Sequence, residues 1–266
     1  MIQGKAMRIL RGMTATAVIL AVLSVAAKAE IVTDSIRYSH DGEAFEGYAA
    51  YNDALGDEQP TVIIIHDWDG LGDYEKTRAE MLARSGYAAF AIDLYGTGIR
   101  PERVERRREL TNALYADRAR MRALMQAGLE AAGTQQVMDT DNAVAIGYCF
   151  GGAALLELAR SGAALDGFVS FHGGLGTPEE QNYEQVDGPL LILHGSSDQV
   201  APMSEVANLT SRLDEDGATY TMEIYGGARH AFTDWGASDR YNASADLQSW
   251  AAMERFLGQA LSEPAD

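Results

Sequence analysis

The chain of 266 residues holds one cysteine, Cys149. It can therefore form no intramolecular disulfide, and its core must stand without covalent staples. No Cys/His cluster has the spacing of a zinc site, and no Gly-rich loop resembles a phosphate cradle. Neither a metal nor another cofactor is expected. Positive charge is scarce, with 21 Lys and Arg against 39 Asp and Glu and a formal net charge of -18. That balance argues against nucleic acid and anionic membrane surfaces as partners. There is no internal repeat and no linker that would divide the chain. The one long apolar stretch, Met13 to Ala26, falls short of the ~20 residues of a spanning helix, so no stable membrane insertion is expected.

That stretch has another reading. Lys5, Arg8 and Arg11 supply a basic start, the apolar run follows, and Ala27-Lys28-Ala29 fits an A-x-A cleavage site. Residues 1–29 read as an export signal and 30–266 as a single domain, periplasmic or secreted. Loss of Lys5, Arg8, Arg11 and Lys28 takes the formal charge from -18 to -22. A lone thiol suits an oxidising compartment, since it cannot mispair within the chain.

Strand patterns cover 35–39, 45–51, 61–65, 88–92, 143–146, 167–171, 190–193 and 219–224, and helical patterns 74–84, 101–132, 152–160, 204–214 and 245–261. Pro101 suits a first helical turn. Strands alternating with helices predict an α/β fold: a mostly parallel twisted sheet with helices on both faces, opened by an antiparallel hairpin. Arg103, Arg106, Arg107 and Arg108 read as a solvated helix face pairing with nearby glutamates.

Chemistry concentrates at Cys149. The segment Gly147-Tyr148-Cys149-Phe150-Gly151 closes an apolar run and opens a helix, matching the nucleophile elbow G-x-S-x-G of α/β-hydrolases with sulfur for oxygen. Side chains at Gly147 and Gly151 would clash in so tight a turn, and the helix N-terminus beyond it favours thiolate. A buried structural cysteine on a Gly-rich turn would read the same locally, so the partners decide. In this fold the acid and the histidine follow the nucleophile in that order. Asp198 is the first carboxylate after the run Leu190–Leu193, and His230 lies in the loop after Tyr220–Tyr225. Each sits after a strand, where catalytic groups of open α/β sheets gather. In such a triad Cys149 attacks a carbonyl, His230 moves the proton and Asp198 orients the imidazole. Of the five histidines, His66, His172 and His194 also end apolar runs and read as hydrogen-bonded loop residues, while His40 precedes the turn Asp41-Gly42. Only His230 follows both nucleophile and acid.

These residues, with Ile63-Ile-Ile-His66-Asp67-Trp68, Asp93-Leu94-Tyr95-Gly96, Ser170-Phe-His172-Gly173-Gly174 and Tyr225-Gly-Gly-Ala-Arg-His230-Ala-Phe232, resemble the dienelactone hydrolase family over most of the chain. The resemblance implies the triad Cys149, Asp198 and His230 and an oxyanion hole from the backbone N–H groups of Trp68 and Phe150. It places Asp67 where the family keeps a glutamate beside the resting thiol. It also places Thr97 and Asp234 where the family keeps two arginines that grip a substrate carboxylate; Arg100 and Arg229 lie near enough to substitute, but both read first as solvated loop arginines. A pocket bounded by Thr97, Phe232, Asp234 and Trp235 is thus expected to take an uncharged or weakly charged small ester or lactone, with packing under the loop an equal reading for Phe232 and Trp235. The expected function is ester or lactone hydrolysis through an acyl-thioester on Cys149. Acyl transfer or thioester hydrolysis on the same triad remains open, as does a non-catalytic ligand-binding or redox-sensing relative. The sequence leaves the oligomeric state undetermined.

Overall fold

The computed structural model describes Met1 and residues 30–261, so the export signal read at 1–29 lies outside the described residues apart from Met1. Two antiparallel strands, β1 (Ile31–His40) and β2 (Glu43–Asn52), open the domain. Their turn is Asp41-Gly42, with φ of 50° and 78°. Both residues are left-handed, as a tight hairpin whose twist matches its strands requires. Then follow β3 (Gln59–Ile65), α1 (Asp73–Arg84), β4 (Ala88–Ile92), α2 (Val104–Ala116), α3 (Arg118–Gly133), β5 (Met138–Tyr148), α4 (Phe150–Arg160), β6 (Gly167–Phe171), β7 (Leu190–Gly195), α5 (Met203–Asp216), β8 (Tyr220–Tyr225) and α6 (Ala243–Ala260).

The eight strands form one sheet in the order β1-β2-β4-β3-β5-β6-β7-β8. From β4 to β8 every neighbouring pair is parallel. The central strands read Val62-Ile-Ile-Ile65, Ala88-Ala-Phe-Ala-Ile92 and Val144-Ala-Ile146 without polar alternation, because they are covered on both faces. Met121, Leu124, Leu155, Leu158, Leu209 and Leu213 of α3, α4 and α5 pack on one face. Ala79, Leu82 and Ala83 of α1 and Ala252, Met253 and Leu257 of α6 cover the other. The fold is the expected α/β sheet covered on both sides.

One expected element is corrected. The pattern over 101–132 is two helices, not one. Asp117 leaves helical geometry (φ -123°, ψ 78°) and its side chain caps the second helix by accepting from Arg120 N at 2.9 Å. The earlier helix begins at Val104, so Pro101 precedes it and is not in its first turn.

The crossover after β3 runs to β4 on one side, and the one after β4 returns to β5 on the other. This reversal leaves a crevice beyond the carboxyl ends of β3 and β5, where open α/β sheets place their sites.

Candidate active site

The elbow at the end of β5 is as tight as the glycines imply. A Cβ on Gly147 would lie 2.3 Å from Gly151 O, and one on Gly151 would lie 2.2 Å from Ile65 O. No real Cβ tolerates such contacts, so both positions demand glycine for space. Cys149 itself is left-handed, with φ 49° and ψ -109°. This strained conformation turns the sulfur out of the sheet at the N-terminus of α4.

The loops bring Asp198 and His230 to that sulfur. Asp198 Oδ1 accepts from Val200 N and Ala201 N at 2.8 and 3.0 Å. Its Oδ2 meets His230 Nδ1 at 2.8 Å. Burial opposes the Asp198 charge, but the His230 hydrogen bond and the two backbone donors outweigh it and hold the carboxyl below its usual range. A carboxylate at Nδ1 fixes the proton there, so Nε2 presents a lone pair. Cys149 Sγ lies 2.9 Å from Nε2, and the thiol donates.

The state of the thiol corrects the sequence expectation. Burial pushes Cys149 well above its ordinary value, and the neighbouring Asp67 carboxylate pushes it further. The N–H of Phe150 acts in the opposite direction without prevailing. These surroundings favour the thiol over the thiolate. The Asp67 carboxyl faces the same sulfur across the cavity. The Asp67 carboxylate also receives the N–H of Trp68. One expected oxyanion donor is thus engaged by Asp67, and the other, on Phe150, lies beside the sulfur. Burial, then the nearby Asp69, raises the Asp67 carboxyl to about 6.

His66 is a structural loop residue. Its Nε2 accepts from Leu94 N at 3.1 Å and its Nδ1–H donates to Asp67 O at 2.6 Å, which steers the Asp67 backbone. His194 is buried against Ala201 O. His172 bonds to the elbow itself, through Cys149 N at 3.2 Å.

A cavity of about 180 Å³ opens over Cys149 and His230, walled by Asp67, Trp68, Asp69, Arg107, Val200, Ala231, Asp234 and Arg240. Asp234 is where the sequence reading put it. The other three expected wall residues are corrected. Thr97 is exposed on the loop after β4, its N–H bonded to Ala44 O. Phe232 is fully buried against Tyr225 and His172, because the loop turns its ring into the core. Trp235 lies 4.3 Å over the Arg78 guanidinium and donates to Asp246, away from the cavity. Arg100 pairs with Asp93 and Arg229 bonds Asp239 O, so neither substitutes as an anion grip.

The arginines at the cavity are Arg107 and Arg240. Arg107 leaves the expected solvated face: it donates to Pro101 O at 2.8 Å, lies 5.5 Å over the Trp68 ring and sits 3.7 Å from Asp69. Spacing offers a signal for it, since Arg107, Thr111 and Leu114 share one face of α2 and the latter two are buried. Glu75 was likewise missed. Its Oε1 accepts Asp67 N at 3.3 Å and its Oε2 accepts Gly72 N at 2.8 Å. Burial raises its carboxyl to about 7. Glu75, Ala79 and Leu82 form one buried stripe of α1, so a charge on an apolar face was the sign.

A parallel sheet with a nucleophile elbow, an acid and a histidine in that chain order defines an α/β-hydrolase. Residues 45–261 match the dienelactone hydrolase family, and the chain belongs to it. It is thereby a hydrolase of the ester and lactone class. A dienelactone hydrolase-like promiscuous phosphotriesterase, P91, from metagenomic libraries is 29% identical with a TM-score of 0.82, covering 87% of this chain and 99% of that one. A solved structure named m3DLH is 34% identical with the same TM-score, covering 87% and 99%. A Synechocystis sp. protein provisionally named carboxymethylenebutenolidase is 26% identical over 244 residues, covering 86% of this chain and 97% of its own.

Proposed function

We propose that the protein is an exported hydrolase that cleaves small, uncharged esters or lactones through an acyl-thioester on Cys149. The observation that carries this reading is the continuous chain Cys149 Sγ to His230 Nε2 at 2.9 Å and His230 Nδ1 to Asp198 Oδ2 at 2.8 Å. The resting thiol is protonated, so the nucleophile is generated on demand. His230 Nε2 takes the thiol proton as sulfur bonds to the substrate carbonyl carbon, and Asp198 stabilises the imidazolium. Asp67 must yield the Trp68 N–H, which with that of Phe150 then receives the developing oxyanion. The carbon–oxygen bond breaks as His230 returns its proton to the leaving alkoxide. His230 next takes a proton from water. The resulting hydroxide attacks the thioester, the carbon–sulfur bond breaks, and the sulfur regains its proton from His230 as the acid departs.

The small cavity favours a compact acyl group. Three carboxylates in its walls, Asp67, Asp69 and Asp234, against two guanidiniums favour a ligand without net negative charge. Export supplies the setting: intact mass of the exported protein should begin at Glu30, and a retained start upstream would reject it. A stoichiometric burst of alcohol from p-nitrophenyl acetate, absent in Cys149→Ala, tests the covalent step. Steady turnover without acyl transfer to Cys149 would refute it. Parallel assays with a lactone and a neutral phosphotriester define the substrate range.

A further inference from the structure

The mechanism leaves one buried histidine beside the nucleophile unused. His172 directly follows β6 with φ 41°, a left-handed value that non-glycine residues rarely adopt. Two other left-handed non-glycine residues, Cys149 at 49° and Ala231 at 59°, lie in the same site. Backbone strain of this kind persists only where surrounding contacts over-determine it, and it gathers at functional sites. The His172 ring is held at both nitrogens. Cys149 N donates to Nδ1 at 3.2 Å while also reaching Phe171 O at 3.0 Å. Nδ1 must therefore carry a lone pair, and the ring proton sits on Nε2. Nε2–H then donates to Thr233 Oγ1 at 2.8 Å. Burial, then the nearby His230 and His194, lowers the His172 pKa well below its ordinary value, which agrees with a ring held in this single neutral tautomer.

Thr233 is three residues beyond His230 in the same loop, and it is fully buried. It is gripped at two atoms. Its hydroxyl shares a 2.7 Å hydrogen bond with Tyr74 OH, and its carbonyl accepts from Arg78 Nη2 at 3.3 Å. Arg78 is anchored in turn by Asp246 at 2.5 Å and by the rings of Trp235 and Trp250. The cluster thus runs from the backbone of the nucleophile through one imidazole to the backbone of the loop carrying the base.

We propose that His172 and Thr233 are positioning residues: a strut of fixed hydrogen-bond direction that sets the distance between Cys149 Sγ and His230 Nε2, with Arg78 as its anchor. The strut serves the thiol mechanism proposed above and rests on that reading. It touches no substrate, and it acts by holding two catalytic loops in register. Without the Thr233 hydroxyl, Nε2–H loses its acceptor, and the His230 loop is held to the elbow only by packing and by the Cys149–His230 contact itself.

The test uses the full chain with Thr233→Val, which removes the hydroxyl at nearly constant shape, and Thr233→Ser, which keeps it. Two readouts are compared, kcat and KM on p-nitrophenyl acetate and the pH profile of iodoacetamide alkylation, which reports Cys149 alone. For Thr233→Val, kcat is expected to fall roughly tenfold with KM within about twofold, as a sub-ångström misplacement of reacting groups implies. Alkylation near neutral pH should slow alongside it, because the thiol loses its well-placed base. Thr233→Ser should restore both. Wild-type kcat and alkylation in a folded Thr233→Val would overturn the proposal, as would equal losses in Val and Ser. If wild type turns over no ester yet alkylation still responds to Val and recovers in Ser, the hydrolase reading fails while the strut stands.

Discussion

Asp67→Asn isolates the charge beside the nucleophile. The amide keeps Oδ1, so the Trp68 N–H retains an acceptor; the negative charge is lost and the second oxygen becomes an NH2 donor. In the native protein burial, then Asp69, raises this carboxyl to about 6, whereas in the unfolded chain it titrates near ~3.9. Between those values the unfolded chain has released the proton and the native state still holds it. Native stability therefore falls as pH rises through that window, and the cost is complete above it. Two pKa units at ~1.4 kcal/mol each give about 3 kcal/mol, and partial exposure of Asp67 reduces this to roughly 2 kcal/mol. Urea unfolding should show the Asn variant more stable than wild type by about that amount at pH 8, with the two converging at pH 4. The alkylation profile of Cys149 should also move to lower pH, because a charge that raises the thiol pKa is gone. An equal stability difference at both pH values, or an unmoved alkylation inflection, refutes the assignment of Asp67 as a charge that adds to burial in raising the thiol.

Cys149→Ala and His230→Ala should each lower kcat on the order of 10³-fold, and the double variant should be little worse than either, because a triad acts as a unit; multiplicative losses would separate their roles. Arg78→Met leaves Asp246 buried without its partner and should cost roughly 3–5 kcal/mol in urea unfolding, whereas an unchanged midpoint would show the pair to be dispensable. A neutral acetate ester should exceed a carboxylated lactone of similar size in kcat/KM. The reverse preference, abolished by Arg107→Ala, would make Arg107 the anion grip and reject the uncharged-substrate reading.

Much of this protein is legible along the chain because the signals are local. The elbow glycines exclude Cβ atoms from one turn. The apolar runs mark strands buried on both faces, and the order Cys149, Asp198, His230 follows from where strands end. Even the helix break at Asp117 is a local capping event, overlooked because the apolar periodicity continues through it.

The remainder depends on which loops face one another. Trp235 lies close to His230 in sequence, yet its ring covers Arg78, and Phe232 turns inward. Arg107 lies 42 positions before Cys149, yet it reaches the cavity because α2 crosses above the Trp68 loop. The sequence by itself determined the sheet, the elbow cysteine and the order of the acid and the histidine after it, because backbone sterics and hydrophobic period operate over a few residues. Only the tertiary structure decided that burial and Asp67 favour the protonated thiol, that Asp67 takes the Trp68 N–H and that His172 is clamped in one tautomer, because burial and the fields of neighbouring charges are set by groups far apart in the chain.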